Sequence, residues 1–238
     1  MIFCESSLFP NGNYTALVIG NSHAECGSGA VNMNPLFKKV ITMSAHGVRV
    51  PFQSELDKDA VLATKAMMEV AKRFQPDVVF YMTYYAGILT SEVKDPITED
   101  HGVQIVDRMI KEISKYTQAI IIKRHAFEFK VEVSPEFIRL RNQDNRVNLK
   151  APRLSENRLE NNHNIRKRFD ALHCSKCHFW DYSEAFCGDN YCNAIDENTE
   201  LPFMRENHHV GILMQRKFRP FLDKLVKKAL NITNVDEH

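Results

Sequence analysis

The sequence predicts an α/β fold: a three-layer α/β/α sandwich with a mainly parallel sheet of about five strands. Short apolar segments rich in valine and isoleucine alternate along the chain with longer amphipathic segments. Alternating strands and helices imply right-handed crossovers, which produce a parallel sheet covered by helices on both faces. Because the apolar segments are nearly continuous, we expect the strands to be buried on both faces.

The predicted strands are short runs, and the first four are apolar and too short to be buried helices. The first run is the clearest, because it is rich in β-branched residues and stops at Gly20. The predicted strands comprise residues 15–19, 40–43, 78–82, 119–122 and 178–182.

Amphipathic periodicity predicts the helices between these strands. The clearest helix covers residues 56–74 and has an apolar face that consists of Leu56, Ala60, Ala63, Met67, Val70 and Phe74. Ser155 is the predicted N-cap of a polar helix that ends near residue 172. The other predicted helices are at residues 24–37, 103–113 and 212–230.

Length and composition are those of an ordinary globular protein. At 238 residues the chain is long enough to bury a large core, and we expect one domain over residues 1–238. Residues 124–152 are less regular and are predicted to be an excursion from the sheet. The 31 basic and 30 acidic residues nearly cancel, so we expect no nucleic-acid partner. No apolar run approaches the roughly 20 residues of a membrane span, and the N-terminus lacks the pattern of a signal peptide.

Six cysteines indicate either disulfides or a metal site. The four that lie close together are Cys174, Cys177, Cys187 and Cys192. Such a cluster is typical of disulfide frameworks in oxidising compartments, and the N-glycosylation sequons at Asn13 and Asn231 favour the same environment. With histidines on either side of the first pair, the four cysteines could instead be the ligands of a structural zinc.

Ser22 stands three residues beyond the end of the first predicted strand, at the turn into a helix. In an open parallel sheet, functional sites form beyond the carboxyl ends of the strands. The backbone N–H of such a serine lies at a helix N-terminus, where it can stabilise an oxyanion. A serine needs a neighbouring base to become a nucleophile. His209 is the candidate base, and Glu206, three residues earlier, could orient its imidazole.

Taken alone, Asn21 and Ser22 also fit an ordinary helix N-cap, and His208 and His209 fit a polar surface loop. The two blocks together resemble the SGNH (GDSL-like) hydrolase superfamily. There, a Gly-Asp-Ser motif ends the first strand and an Asp-x-x-His motif precedes the last helix. The chain is most similar to the SGNH domain that follows the membrane-embedded acyltransferase family 3 domain in animal O-acyltransferases. The segments that carry this similarity are residues 18–24, 76–80, 174–177, 180–182 and 207–209.

The resemblance implies a role for each residue of the two blocks. Ser22 would be the nucleophile and His209 the base, and Glu206 would stand where the family has aspartate. Asn21 and His23, on either side of the nucleophile, would be candidates for binding the substrate.

The family also supplies oxyanion donors from two further blocks, one with a glycine and one with an asparagine. Gly47 matches the glycine. The backbone N–H of Ser22 would be a further oxyanion donor. No asparagine follows the third predicted strand, so Thr83 and Tyr84 are the candidates for the remaining donor.

The resemblance implies an SGNH-hydrolase, flavodoxin-like fold and an acyl group that is transferred or hydrolysed through an acyl-serine. The expected partners are an acyl donor, a hydroxyl-bearing acceptor such as a glycan or a lipid, and a membrane acyltransferase domain in trans, since residues 1–238 contain no counterpart of it. The expected location is the lumenal or extracellular side of a membrane. We expect no cofactor and no catalytic metal, and the family favours disulfides between the clustered cysteines.

Two alternatives remain open at this point. Because Glu206 replaces an aspartate and an oxyanion asparagine is missing, the chain could be a catalytically impaired SGNH-fold binding domain. The second alternative is a cysteine-rich zinc-binding module.

Overall fold

The structure is a computed structural model that describes residues 1–49, 57–125, 127–143, 150–152, 156–188 and 191–232. The strands of this part of the chain are β1 (Ile2–Ser6), β2 (Tyr14–Gly20), β3 (Phe37–Ser44), β4 (Val78–Tyr81), β5 (Ala119–Lys123), β6 (Lys150–Pro152), β7 (Cys177–Trp180) and β8 (Tyr191–Asn193). Its α-helices are α1 (Ser22–Asn32), α2 (Lys58–Phe74), α3 (His101–Ile113), α4 (Val133–Arg141), α5 (Glu156–Asp170) and α6 (Ile212–Ala229). None of these helices combines the length and the apolar composition of a membrane span.

Six of the strands form one mixed sheet in the order β1-β3-β2-β4-β5-β7. Strands β3, β2, β4, β5 and β7 pair in parallel, and β1 pairs antiparallel with β3 at the edge. Strands β6 and β8 form a separate antiparallel pair. The sheet is therefore mostly parallel, as predicted.

The sheet has a separate core on each face, because side chains alternate along every strand. Ala16 and Val18 of β2 belong to the core shared with helices α1 and α6. Leu17 and Ile19 belong to the other core, which α2, α3 and α5 cover. All four of these β2 side chains are fully buried. Helices thus cover both faces, which confirms the predicted three-layer sandwich.

Each predicted strand has a counterpart in β2, β3, β4, β5 or β7, and the predicted helices correspond to α1, α2, α3, α5 and α6. The prediction that the first helix extends to Phe37 is wrong, because α1 ends at Asn32 and Phe37 is the first residue of β3. The last predicted strand is shorter than expected, since Tyr182 begins a 3₁₀ helix. Two residues used in the helix predictions, Leu56 and Ser155, lie outside the described residues.

The sheet has an edge strand that the sequence pattern does not reveal. Strand β1 exposes Ile2 and Phe3, which retain 43% and 56% of their accessible surface. Because such an edge strand buries little, it shows neither a continuous apolar run nor a clear alternation. Within the less regular segment 124–152, the structure forms helix α4 and strand β6.

The clustered cysteines form two disulfides, Cys174–Cys177 and Cys187–Cys192. The first lies at the start of β7, and the second joins the segment after the 3₁₀ helix to β8. A zinc site of four thiolates requires these sulfurs to be unbonded. The zinc-module alternative is therefore wrong for these four residues.

Gly20 ends the central strand at a point of very close packing. A Cβ atom at this position would lie 1.9 Å from the carbonyl oxygen of Met82, the residue after β4. The backbone at Gly20 also has a φ of +155°, a value that side-chain-bearing residues rarely adopt. Only glycine can therefore end β2 here and turn the chain into α1.

Replacing Gly20 with alanine should lower the free energy of unfolding by about 3 kcal/mol, because the new methyl group meets a backbone carbonyl. Urea-induced unfolding measures this change. Gly188→Ala is the matched control, since its Cβ would lie 3.8 Å from its nearest neighbour, the Tyr191 carbonyl oxygen. Equal effects of the two substitutions would contradict the proposed close packing at Gly20.

Candidate active site

Ser22 is the first residue of α1 and lies at the carboxyl edge of the sheet. Asn21 is the N-cap residue, and its side-chain oxygen accepts a hydrogen bond from the N–H of His23 at 3.2 Å. The N–H groups of the first helical turn have no partner within the helix. The turn therefore places the Ser22 hydroxyl and its own N–H group at the positive end of the helix dipole.

His209 lies in the loop that leads into α6. Two backbone hydrogen bonds close this loop, from Arg205 N–H to the His209 carbonyl at 2.9 Å and from Gly211 N–H to the Phe203 carbonyl at 2.7 Å. Helix α6 packs against α1 on the same face of the sheet. The two packed helices therefore bring this loop next to Ser22.

The Ser22 hydroxyl and the His209 imidazole form a hydrogen bond, with 2.6 Å between Oγ and Nε2. On the other side of the ring, Nδ1 of His209 contacts Glu206 Oε1. A carboxylate at Nδ1 holds the ring proton there, so Nε2 presents its lone pair to the serine hydroxyl. The three side chains thus have the arrangement of a serine–histidine–acid triad.

Burial lowers the pKa of His209 to about 4, and the positive charges of Arg205 and Lys123 act in the same direction. The side chain retains 20% of its accessible surface. A histidine with such a pKa is neutral at physiological pH. His209 can therefore accept a proton from the serine without first losing one.

The Asn21 side chain joins the turn at Ser22 to the segment after β4. Its Nδ2 donates to the Tyr84 carbonyl, and its Oδ1 accepts from the Tyr84 N–H, both at 3.1 Å. An aspartate in this position could accept from the Tyr84 N–H but could not donate to the Tyr84 carbonyl. This pairing gives a structural reason for asparagine at the position where the superfamily has aspartate.

The predicted oxyanion residues follow β3 and β4 at the carboxyl edge of the sheet. The Tyr84 N–H donates to Asn21, and the Tyr84 hydroxyl donates to Glu128 Oε2 at 3.0 Å, so both groups have partners within the protein. Thr83 is fully buried, and its hydroxyl lies 3.5 Å from the Tyr84 carbonyl oxygen. Gly47 lies in the turn after β3, at a φ of +67°. These residues stay predictions as oxyanion donors.

His23 follows Ser22 and is buried, with 5% of its surface accessible. Its Nδ1 lies 3.2 Å from Nζ of Lys123, the last residue of β5. Its ring lies 4.8 Å from that of His209 and stacks on that of His208 at 5.3 Å. Burial lowers the pKa of His23 well below its usual value, and Lys123 adds to this effect. His23 is therefore a neutral imidazole in contact with the triad.

His208 is held by a second chain of polar groups. Its Nδ1 lies 2.6 Å from Asn207 Oδ1, and Asn207 Nδ2 donates to Glu128 Oε1 at 2.7 Å. The backbone extends this link, since the Phe129 N–H donates to the Asn207 carbonyl at 2.8 Å. The segment after β5 thus fixes the loop that carries the triad histidine.

Sequence reasoning missed Lys123 and Glu128, which both contact residues of the candidate site. Lys123 had one usable signal: it is a lysine directly after the apolar run of β5, at the edge where functional sites form. Glu128 lies in a less regular segment with no comparable signal. Asn13 and Asn231, the predicted glycosylation sites, are both exposed.

The three histidines also form the group that could hold a metal ion. Ligand nitrogens of His23, His208 and His209 lie within 4.8 Å of one another. However, both ring nitrogens of His209 already contact Ser22 or Glu206. A bound metal would require His209 to give up one of these contacts, so a site that works without metal stays our prediction.

Comparison with known proteins gives a family and a fold. A family model described as "SGNH domain (fused to AT3 domains)" matches residues 4–224. Among solved structures, the periplasmic domain of a lipopolysaccharide acetyltransferase from Salmonella ser. Paratyphi A is similar at a TM-score of 0.62 and 15% identity, covering 91% of this chain and 85% of that chain. An acetylxylan esterase from Geobacillus stearothermophilus is similar at a TM-score of 0.45 and 10% identity, covering 95% and 98%. No curated protein sequence matches the chain.

Asn21→Ala should lower the free energy of unfolding by about 1–3 kcal/mol, because it leaves both backbone groups of Tyr84 without their partner. Thermal unfolding followed by circular dichroism measures this loss. Asn32→Ala, at the end of the same helix, is the matched control, since Asn32 Oδ1 has no hydrogen-bond partner among the residues that the structure describes. An Asn21 variant as stable as the control would contradict the assigned contact with Tyr84.

Proposed function

The chain belongs to the family of SGNH domains found fused to AT3 domains, a family of acyltransferases and carboxylic-ester hydrolases, and we propose that it acts through an acyl-serine at Ser22. The observation that supports this most is the 2.6 Å contact between Ser22 Oγ and His209 Nε2, with Glu206 at the opposite nitrogen. A neutral histidine beside a serine at the end of a strand is what nucleophilic acyl transfer requires.

In the first half-reaction, Ser22 Oγ attacks the carbonyl carbon of an acyl ester while its proton passes to His209 Nε2. The carbonyl oxygen becomes an oxyanion, and the positive end of the α1 dipole with the Ser22 N–H stabilises it. When the tetrahedral intermediate collapses, the ester C–O bond breaks and His209 returns its proton to the leaving alcohol. The enzyme then carries the acyl group on Ser22.

In the second half-reaction, a hydroxyl group attacks the acyl-serine. His209 takes the proton of the incoming hydroxyl and then returns it to Ser22 Oγ, which restores the starting state. An acceptor alcohol gives a new ester, and water gives a free acid. The same residues therefore support either O-acyl transfer or ester hydrolysis.

Glu206 fills the role of the aspartate in our proposal. The longer side chain reaches His209 Nδ1 from three residues earlier in the same loop. A carboxylate at this nitrogen orients the ring and stabilises the imidazolium that forms during each proton transfer. The additional methylene is thus compatible with the geometry of the loop.

We propose that the acyl donor and acceptor meet on the lumenal or extracellular side of a membrane, with a membrane acyltransferase domain supplying the acyl group in trans. The disulfides and the exposed asparagines of the two sequons support this location. A glycan or a lipid hydroxyl is the proposed acceptor. The chain alone would then act on small esters as a weak hydrolase.

An alkyl fluorophosphonate should label the wild-type protein on Ser22, and Ser22→Ala should abolish the labelling because the nucleophile is gone. Gel fluorescence with a tagged probe measures this reaction. Ser28→Ala, later in the same helix, should label normally. Folded wild-type protein without labelling would contradict the proposed activity and favour the catalytically impaired binding domain.

Ester hydrolysis should fall at low pH with an apparent pKa well below 6.5, the usual value for histidine. His209 acts as a base only when it is neutral, so activity is present above its pKa and is lost as the pH falls through it. Removing the positive charge in Arg205→Met should move this acid limb to higher pH.

Glu206→Gln should move the same limb to lower pH and reduce kcat by up to about 10⁴-fold, because the negative charge that favours the imidazolium is gone. Initial rates of p-nitrophenyl acetate hydrolysis across pH measure all variants. The control is Arg219→Gln on α6, whose partner is Asp223. Shifts of the Arg205 and Glu206 variants in the same direction would contradict His209 as the base.

A further inference from the structure

Lys123 is a buried lysine whose amino group touches the candidate site. It retains 3% of its accessible surface, and Nζ lies 3.2 Å from Nδ1 of His23. The same Nζ lies over the ring of Tyr182, 4.8 Å from the centroid. The proposed triad chemistry does not use this lysine. Burying a charged amino group costs free energy unless the charge is paired and hydrogen-bonded.

The contact with Lys123 determines which nitrogen of His23 carries the proton. A lysine ammonium has only donors, so it can pair with Nδ1 only if that nitrogen presents its lone pair. His23 is neutral, because burial and Lys123 hold its pKa well below the usual value. Whenever Lys123 is an ammonium, the single ring proton is therefore on Nε2.

The Nε2–H group of His23 is then a donor in need of an acceptor. This nitrogen is buried and has no hydrogen-bond partner among the described residues. Buried donors are nearly always satisfied in folded proteins, and each exception calls for an explanation, of which a catalytic role is one. The His23 ring lies beside the candidate triad, since one of its nitrogens lies within 4.8 Å of nitrogens of His208 and His209.

We propose that Lys123 is a positioning residue that fixes His23 with its proton on Nε2, and that this N–H donates to the acyl carbonyl oxygen during catalysis. The inference rests on the proposed acyl-serine chemistry at Ser22. His23 then supplies the donor that the superfamily takes from an asparagine, for which this chain has no counterpart after β4.

The position of His23 suits this role. It follows the nucleophile in the first turn of α1, so its ring and the Ser22 N–H project from adjacent residues at the same helix end. The rings of Tyr84, His208 and His209 surround it at 4.8–5.4 Å between centroids. His23 itself retains only 5% of its accessible surface, and a donor in a dry site stabilises a developing negative charge more strongly than one in water.

The charges around Lys123 keep its pKa high enough for the amino group to be partly protonated near neutral pH. Burial lowers the pKa of Lys123 to about 7, while Asp181 and Cys26 act in the opposite direction. The groups that face the lysine from the elements packed around it are His23, Cys26, Asp181, Tyr182 and His209. Asp181 also accepts hydrogen bonds from the N–H and the hydroxyl of Ser183, which hold it beside β5.

Nuclear magnetic resonance of protein with ¹⁵N-labelled histidine tests the proton position directly. We expect His23 to show a protonated Nε2 and an unprotonated Nδ1, assigned by comparison with His23→Gln. Reaction of Ser22 with a small fluorophosphonate should shift the Nε2–H signal downfield, since the phosphonyl oxygen stands in for the oxyanion. In Lys123→Met, the proton should distribute between both nitrogens. Lys176→Met, which removes a lysine that binds the Ser114 and Thr117 carbonyls, should leave the His23 signals unchanged.

Kinetics of p-nitrophenyl acetate hydrolysis test the role in catalysis. His23→Phe keeps an aromatic ring but has no donor, so kcat should fall about 10²–10³-fold while KM changes little. Lys123→Met should lower kcat as well. In the His23→Phe background, however, Lys123→Met should cause little further loss of kcat at a pH well above the pKa of His209, where the effect of Lys123 on that pKa no longer limits the rate. Circular dichroism and thermal unfolding confirm that each variant is folded.

Different results overturn different claims. If the fluorophosphonate labels Ser22 but the His23 signals stay unchanged, or if the two substitutions lower kcat additively, the role of Lys123 and His23 is wrong and the triad stands. If folded wild-type protein is not labelled at all, the acyl-serine proposal fails and this inference fails with it.

Discussion

The hydrogen bond between Ser22 and His209 is the interaction on which the candidate site depends. It joins two residues that are 187 positions apart in the chain. Neither residue can reach the other unless α1 and α6 pack side by side on one face of the sheet. The close passage at Gly20 sets the start of α1, and the closed loop before α6 sets the position of the imidazole. The chemistry therefore follows from how the first and last helices pack.

The fold could be predicted where buried periodicity is strong. Strand β2 and helix α2 have apolar patterns that only a buried strand and an amphipathic helix explain. Strand β1 could not be predicted, because an edge strand with exposed Ile2 and Phe3 carries no such pattern. The ribbon of β6 and β8 is similarly short, with three residues in each strand. Sequence patterns report burial, so elements that bury little are not detected.

The same reasoning applies to the candidate site. Ser22 and His209 could be singled out because each stands at a marked place, after a buried strand or before the last helix. Glu206 could be singled out because it lies three residues before His209. The contacts of Lys123 and Glu128 could not be predicted, because they depend on which side chains the fold brings together across β5 and the loop. Long-range polar contacts of this kind have no local sequence pattern.

The site combines neutral rings with nearby positive charge. His23 and His209 are both kept neutral by burial, and Lys123 and Arg205 lower the pKa of His209 further. Such surroundings favour a base that is ready to accept a proton and an oxyanion that forms close to cationic groups. The electrostatics thus agree with the acyl chemistry proposed from the geometry.

The acyl-serine is the central claim, and trapping it is the most direct test. The protein would be mixed with p-nitrophenyl acetate, quenched in acid within the first turnover and digested for mass spectrometry. We expect one acetyl group on the peptide that contains Ser22, and none in Ser22→Ala. An acetyl group on a different residue, or ester hydrolysis by wild-type protein with Ser22 never acetylated, would contradict it.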